Sequence, residues 1–524
     1  MSASSDSGAE KPSSVEKNTS EKHQTVEVSA REIDTGAALV YGEHGQLDTA
    51  EALRVRRKVD FHILPLMCIL YWIQFMDKTT LGSSAILGII QANHLTVNQY
   101  NWLGTIFYLS YLVFEFPQNL ALQRFPVAKW MSINIFVWGV ALCSHAACKS
   151  FGGLFVVRLI LGMCEGSITA GFMIVSSMFY TRTEQTLRVG YWFLMNGTAQ
   201  IISSFISFGT LHIKTTTLEP WQWLMIITGI LTLVTSIVFW FCFPDSPTNA
   251  WFLSPQERVV AILRLQENQT GVENKHFKKE QMIEALTDPK TWLFALFSTL
   301  SNVPNSLTNQ LSLIVSSFGF TVLQTTLLGC VGGVVEILTI WAGVTISAKT
   351  GSRAWVAFIF YLPPILGTIL VSTLPWSNKV GLMLCVYING IFITGFVISL
   401  SWLSSVTAGH TKRITTNAIM LGAYCIGNAA GPFMWQEKYK PRNRVPWIVI
   451  GVCYVCCMVL VLAIRYLLVA ENKRRDAESQ RDDLYDDVWI ERLAKDGLSM
   501  EKVKVDKEFL DLTDIQNRDF RYVY

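Results

Sequence analysis

Apolar runs long enough to cross a lipid bilayer recur along the chain from about residue 60 to residue 470. A bilayer core about 30 Å thick needs about 20 apolar residues per helix. Inside it every backbone N–H and C=O must bond within the protein, so spanning segments are helices or closed barrels. Twelve helical spans can be read, at about 61–90, 101–122, 130–148, 153–180, 187–212, 221–243, 291–315, 322–347, 354–374, 379–403, 414–434 and 446–469. Several exceed 20 residues, so tilt or extension beyond the bilayer is expected. Composition agrees: 51% of the 524 residues are apolar and 16% charged, where a soluble domain carries roughly 25% charged residues. These figures exclude a mainly disordered chain and a disulfide-rich scaffold. A net charge of +3 gives no reason to expect a nucleic-acid partner. The expected fold class is an all-α membrane protein.

The polar stretches divide the chain. Residues 1–58 read as a disordered cytoplasmic tail with no apolar signal-peptide core, so the first span serves as the insertion signal. Residues 59–243 hold six spans, 244–290 form a charged, partly helical cytoplasmic linker, and 291–470 hold six more. Residues 471–524 read as a solvated cytoplasmic tail. The short loop at Arg124–Lys129 and the one at Lys349–Arg353 occupy matching places in the two halves. A 6+6 layout with parallel halves is that of a large transporter class.

Orientation follows from the basic residues in short loops. Arg124 and Lys129, Arg182 and Arg188, Lys349 and Arg353, and Lys412 and Arg413 fall in the second, fourth, eighth and tenth loops. Those loops and both tails are therefore expected in the cytoplasm. The eleventh loop, with Lys438, Lys440, Arg442 and Arg444, runs against the pattern. Tryptophans near span ends (Trp102, Trp130, Trp221, Trp292, Trp376, Trp447) suit an interfacial belt.

Ionisable groups deep in hydrocarbon are costly and need a reason. Six stand out: Asp77, Lys78, Glu115, Arg158, Glu165 and Glu336. Lys78 can face a cavity and bind an anion, with Asp77, about 100° round the helix, orienting it; alternatively the two neutralise each other or neighbouring helices. Arg158 and Glu165 are seven apart and share a face, so they form either a structural ion pair or a titrating site. Glu115 and Glu336 have no cation adjacent in sequence and suit proton coupling. Pro304, flanked by Asn302 and Asn305 and followed by Asn309 and Gln310, interrupts the seventh span. The polar stretch Gln74–Ser84 is its expected counterpart in the first span. Paired interruptions of this kind mark transporter binding sites. Asn196 and Gln200, Tyr387 and Asn389, and Tyr424 and Asn428 offer neutral contacts or helix–helix hydrogen bonds. Gly162/Gly166 and Gly427/Gly431 have the spacing that lets helices approach closely. All 11 cysteines lie in apolar runs, and Cys453/Cys456 read as packing. No phosphate loop, metal pattern or nucleophile motif appears, so no cofactor and no enzymatic activity are expected. The glycosylation motifs at Asn18 and Asn268 fall on segments assigned to the cytoplasm.

Several stretches together resemble one family: Met76-Asp77-Lys78-Thr79-Thr80-Leu81, Leu122-Gln123-Arg124-Phe125-Pro126-Val127, Arg158 with Gly162 and Glu165, Phe243-Pro244-Asp245-Ser246-Pro247, Asp288-Pro289-Lys290-Thr291-Trp292, and Gly409-His410-Thr411-Lys412-Arg413 with Gly427-Asn428. From about residue 54 to 470 the chain resembles the fungal allantoate permease family, in the anion:cation symporter branch of the major facilitator superfamily. The resemblance implies two six-helix bundles around a central cavity and proton-coupled uptake of a small organic anion. Substrate types in that family include allantoate, ureidosuccinate, nicotinate, other vitamins, sulfur compounds and small peptides. The acidic residue that the superfamily's gating motif places before Arg124 is Gln123 here. On this reading Asp77, Lys78, Asn196, Asn302, Asn305, Asn309, Tyr387, Tyr424 and Asn428 contact substrate. Glu115, Arg158, Glu165 and Glu336 handle the proton. The protein sits in the plasma membrane or, alternatively, the endoplasmic reticulum. A nutrient sensor of transporter ancestry, signalling through its C-terminal tail, is the competing reading.

Overall fold

A computed structural model describes residues 49–213, 217–266, 278–478, 489–493, 500–504 and 512–524. Most of the N-terminal tail, together with Asn18 and Asn268, lies outside them. Contacts divide the chain into a small unit, residues 1–32 with 482–510, and a large one holding the rest. In the small unit β1 (Trp489–Leu493) pairs antiparallel with β2 (Met500–Lys504), Trp489 opposite Lys504.

The large unit is helical. Its first half comprises α1 (Thr49–Ile86), α2 (Val97–Arg124), α3 (Val127–Ser144), α4 (Phe151–Phe179), α5 (Arg182–Phe193) with α6 (Met195–Thr210), and α7 (Pro220–Cys242). The linker forms α8 (Pro255–Gln266) and α9 (Lys279–Thr287). The second half comprises α10 (Pro289–Asn302) with α11 (Leu307–Ser317), α12 (Val322–Thr350), α13 (Arg353–Thr373), α14 (Lys379–Asn389) with α15 (Ile393–Ser405), α16 (His410–Ala430) and α17 (Arg444–Ala477). Counting each broken pair once gives twelve spans, six in each half. α2 and α12, the second span of each half, begin alike. Thr96 and Thr321 cap them, and Gln99 and Gln324 return the bond to the capping residue, two matching capping boxes.

Among the described residues, eight spans are long and apolar enough to cross a membrane. The other four, the second, fifth, seventh and eleventh, all pack against the opposite half. There polar side chains meet protein rather than lipid. The spacing of small residues sets how closely helices meet. A Cβ on Gly162 would stand 2.2 Å from the Phe107 carbonyl oxygen, and one on Gly427 2.3 Å from that of Thr299. Gly197 and Gly333 cross back to back between the halves, each facing the other's carbonyl oxygen. Each half keeps its own apolar core, and Trp192, Phe193, Ile340 and Val397 form a third cluster between them. Of the tryptophans placed at the interface, Trp102 and Trp292 are exposed, but Trp221 and Trp447 are buried.

The seventh span does break, at a short 3-10 turn over Pro304–Ser306, because Pro304 has no N–H to give the helix. The first span does not break: α1 runs unbroken through Gln74–Ser84. Its hydroxyls bond back one turn, Thr79 to the Met76 carbonyl (2.7 Å), Thr80 to Asp77 (2.6 Å) and Ser84 to Leu81 (2.8 Å). That satisfies them without opening the helix. Two further breaks lie in the fifth span, at Leu194, and in the tenth, a 3-10 turn over Gly390–Phe392.

The linker helices are tied to the ends of the bundles. Lys58 of α1 holds Glu257 of α8 at 2.8 Å and keeps its carboxyl below the usual range. Arg264 reaches Glu184 at 2.9 Å, and Arg188 reaches Asp60 at 2.6 Å. The end of the C-terminal tail is docked, not solvated. The fully buried Asp514 carboxylate bridges Lys290 (2.5 Å) and Lys412 (2.9 Å) and accepts from the Tyr522 hydroxyl (2.7 Å). Lys412 also contacts Glu284 and Asp288, both at 2.9 Å. Arg475 donates to the Phe520 carbonyl (2.7 Å), and Trp402 to that of Val523 (2.8 Å). Burial alone would raise the Asp514 carboxyl, but the two lysines beside it hold it down to about 2. The tail end thus closes a buried charge cluster that joins α9, α10, α16 and α17.

Candidate functional site

Lys78 and Asp77 sit on the polar stretch of α1 and point to different neighbours. Asp77 is buried, accepts a hydrogen bond from Trp138 Nε1 of α3 (2.8 Å) and one from the Thr80 hydroxyl (3.2 Å). It therefore anchors α1 inside the first half and lines no cavity described here. Lys78 turns toward the seam between the halves. Its Nζ lies 3.7 Å from the Glu165 carboxylate, whose side chain is fully buried. The Asp77 carboxyl and the Gln74 amide also lie beside the Glu165 carboxylate, though neither makes a well-formed hydrogen bond to it.

Lys78 lines a small lobe with Phe75, Tyr108, Asn305, Ser306, Thr308, Asn309 and Asn428, of about 10 Å³. The kink at Pro304 brings Asn305 here. Its amide donates to Asn428 Oδ1 (2.7 Å), and Thr308 donates to Asn305 Oδ1 (3.3 Å). A larger lobe of about 110 Å³ shares Phe75, Asn305 and Thr308 with the first. Thr79, Gln200, Ser203, Ser204, Glu336 and Tyr387 also line it. Gln200 Nε2 donates to Glu336 at 2.5 Å across the seam, and the Asn196 amide, one turn back on α6, reaches the same carboxyl. The Tyr387 hydroxyl donates to the Leu328 carbonyl (2.8 Å).

Seven expected residues therefore line the two lobes: Lys78, Asn305, Asn309, Asn428, Gln200, Tyr387 and Glu336. Asn196 supports Glu336 from behind. Asn302 bonds the Ser298 carbonyl one turn back (2.8 Å) and packs where Gly427 meets α10. Tyr424 stacks on Phe396 and meets Tyr108 edge-on. Glu115 is buried beside Gly166, with Oε1 unpartnered, and lines neither lobe. Arg158 and Glu165 do not pair. Seven residues of helix separate them by about 10 Å along the axis, and Arg158 is buried with Nε and Nη2 unpartnered. The hydroxyls Thr79, Ser203 and Ser204 were not singled out from the sequence. Ser203 and Ser204 fall three and four residues after Gln200, on one helix face.

At one end of the seam the halves are joined by hydrogen bonds. Tyr100 donates to the Asn309 carbonyl (3.0 Å), Asn101 to Trp435 (2.8 Å), Thr105 to Ala429 (3.0 Å), and Gln310 to Asn101 Oδ1 (3.2 Å). All lie at the ends of spans farthest from the linker helices.

Residues 67–432 match the sequence profile of the Major Facilitator Superfamily. The thiamine pathway transporter THI73 of Saccharomyces cerevisiae is 35% identical, over 90% of this chain and 86% of that protein. The allantoate permease of the same yeast is 32% identical over 90% and 86%, and its high affinity cysteine transporter 30% over 90% of each. Among solved structures, the partially occluded inward open xylose transporter XylE from E. coli superposes with a TM-score of 0.59 at 15% identity, covering 77% of this chain and 97% of XylE. An inward-facing, occupied bacterial homolog of the human lysosomal transporter Spinster gives 0.57 at 14%, covering 80% and 98%.

Proposed function

Because the chain belongs to the major facilitator superfamily, and within it to the fungal allantoate permease-like family, it is a secondary transporter of a small molecule, and we propose that it carries a small carboxylate inward together with protons. Lys78 binds the carboxylate and Glu165 carries the proton. The observation behind this reading is the Lys78–Glu165 contact at 3.7 Å, on the wall of a cavity between the halves. Lys78 is the one basic side chain lining either lobe among the described residues.

The chemistry follows from charge balance. A buried carboxylate deprived of its cation costs several kcal/mol. With Glu165 ionised, Lys78 is held by it. A proton on Glu165 frees the ammonium for a substrate carboxylate; release of that carboxylate returns Lys78 to Glu165 and expels the proton. Substrate and proton then travel together. The hydrogen-bonded end of the seam is the outer gate in its closed state. The basic even-numbered loops support an orientation with both tails in the cytoplasm, and the plasma membrane is the location that suits nutrient uptake.

The test is uptake of a panel of carboxylates into proteoliposomes holding the purified full-length protein. Lys78→Ala removes uptake of every transported member, at a cost of about 2–5 kcal/mol in carboxylate binding. Wild-type uptake by Lys78→Ala would refute the assignment.

A further inference from the structure

The eleventh loop runs against the charge pattern of the other short loops, and it leaves the bundle at the hydrogen-bonded end of the seam. Trp435, whose carbonyl accepts from Asn101 of α2, stands three residues before Lys438. Phe433 meets Trp102 edge-on at 5.1 Å. Gln310, the other partner of Asn101, lies on α11, which ends at Ser317 and leads into the seventh loop. The ninth loop ties these two together. Trp376 Nε1 donates to the Ser317 carbonyl (3.2 Å), and the Arg442 guanidinium lies over the Trp376 ring at 5.7 Å. Lys379 Nζ donates to the Gly319 carbonyl (2.9 Å) and lies 5.6 Å from the centre of the Phe320 ring.

The three loops thus place Lys379, Lys438, Lys440, Arg442 and Arg444 beside the gate, against one acidic residue, Glu437. Lys379, Lys438, Lys440 and Arg444 are exposed, and among the described residues none of the five cations is paired with a carboxylate. Stability does not account for them, since exposed charges add little even when paired. Lipid does not account for them either. Basic residues are drawn to the anionic cytoplasmic leaflet, and the orientation above puts this loop at the opposite face. Their remaining effect is the field they set up. Unpaired charges of one sign raise the local concentration of counter-ions and speed their encounter with a nearby site. At physiological ionic strength such a field reaches about 8 Å, the scale of the few residues between Lys438 and the gate carbonyl of Trp435.

We propose that these five residues form a positive rim at the outer mouth that gathers small anions to the gate, so that the eleventh loop governs capture of the solute while Lys78 governs its binding. The role in capture rests on the carboxylate reading above; the field itself does not.

The experiment has two arms. In the first, Gln436→Cys puts a thiol on the exposed residue between Trp435 and the basic run. The full-length protein in nanodiscs is treated with a negatively charged and a positively charged methanethiosulfonate of similar size, and labelling of protein with Gln436 intact is subtracted. Adding Lys438→Gln, Lys440→Gln and Arg444→Gln lowers the ratio of anionic to cationic labelling rates at least about fivefold. Raising the salt to about 1 M, where the screening length is about 3 Å, lowers it in the same way without any substitution. In the second arm, uptake of the carboxylate panel into proteoliposomes at low salt shows kcat/KM reduced at least about fivefold in the triple variant, with the maximal rate kept and the difference gone at high salt. A labelling ratio that ignores both salt and the three substitutions would overturn the proposal. So would equal kcat/KM for the triple variant and the wild type at low salt. Lys78→Ala leaves the labelling ratio unchanged. If no carboxylate were carried while the ratio still followed the rim charges, the Lys78 reading and the capture role would both fail and the field alone would stand.

Discussion

Asp77 and Lys78 are neighbours in the chain with separate tasks. Asp77 gives both its oxygens to Trp138 and Thr80, which fixes the rotation of α1 and so the direction of Lys78. Trp138→Phe keeps an aromatic ring, though a smaller one, but removes the N–H and leaves a buried carboxylate oxygen without its donor. The expected loss is about 1–3 kcal/mol of stability, read as a lower melting temperature of the detergent-purified protein, together with weaker binding of transported carboxylates, because the direction of Lys78 is no longer fixed. Lys78 and Glu165 were legible in the sequence because a charge in an apolar run is conspicuous. Their partnership was not: 87 positions separate them, and the same-face spacing drew attention to Arg158 instead. Small hydroxyls such as Thr79 and Ser203 carry no comparable signal, since serine and threonine in membrane helices commonly bond their own backbone.

The elements show where pattern reading holds and where it fails. Pro304 marked the break in the seventh span correctly. The polar stretch of α1 did not break, because polarity alone leaves the backbone N–H groups in place. The break at Gly390–Phe392 has no proline and was not read. The docked tail was also out of reach, since its charged composition matches that of a solvated segment. Its partners, Lys290 and Lys412, lie 224 and 102 positions from Asp514. Asp514→Ala leaves two buried lysines short of an anion and should cost about 3 kcal/mol, measured as a drop in thermal stability with substrate affinity retained. The Asp514 carboxyl lies at about 2, below its ordinary 3.8. Its stabilisation is therefore complete above the ordinary value and is lost only as pH falls toward 2. The wild-type-to-Asp514→Ala difference should then stay constant between pH 5 and pH 8.

At the scale of the whole molecule, the 6+6 layout followed from the apolar runs and the central polar linker, and the family match agrees with it. Which helices form the seam did not follow, because every span reads as apolar on most faces. α6 and α12 cross there so closely that a Cβ on Gly329 would lie 3.6 Å from the Ser204 Cβ. That separation is within the range of a disulfide. In a Cys330→Ser background, Ser204→Cys with Gly329→Cys should cross-link under mild oxidant, stop transport, and recover it when reduced. The central claim couples this rocking to a proton carried by Glu165. The most direct measurement is the pH inside proteoliposomes, followed with a trapped dye, when a transported carboxylate is added outside. In the wild type the lumen acidifies as the carboxylate enters; in Glu165→Gln it does not, although exchange of labelled for unlabelled carboxylate continues. Carboxylate accumulating with no change in lumenal pH, or acidification by Glu165→Gln equal to wild type, would contradict the account.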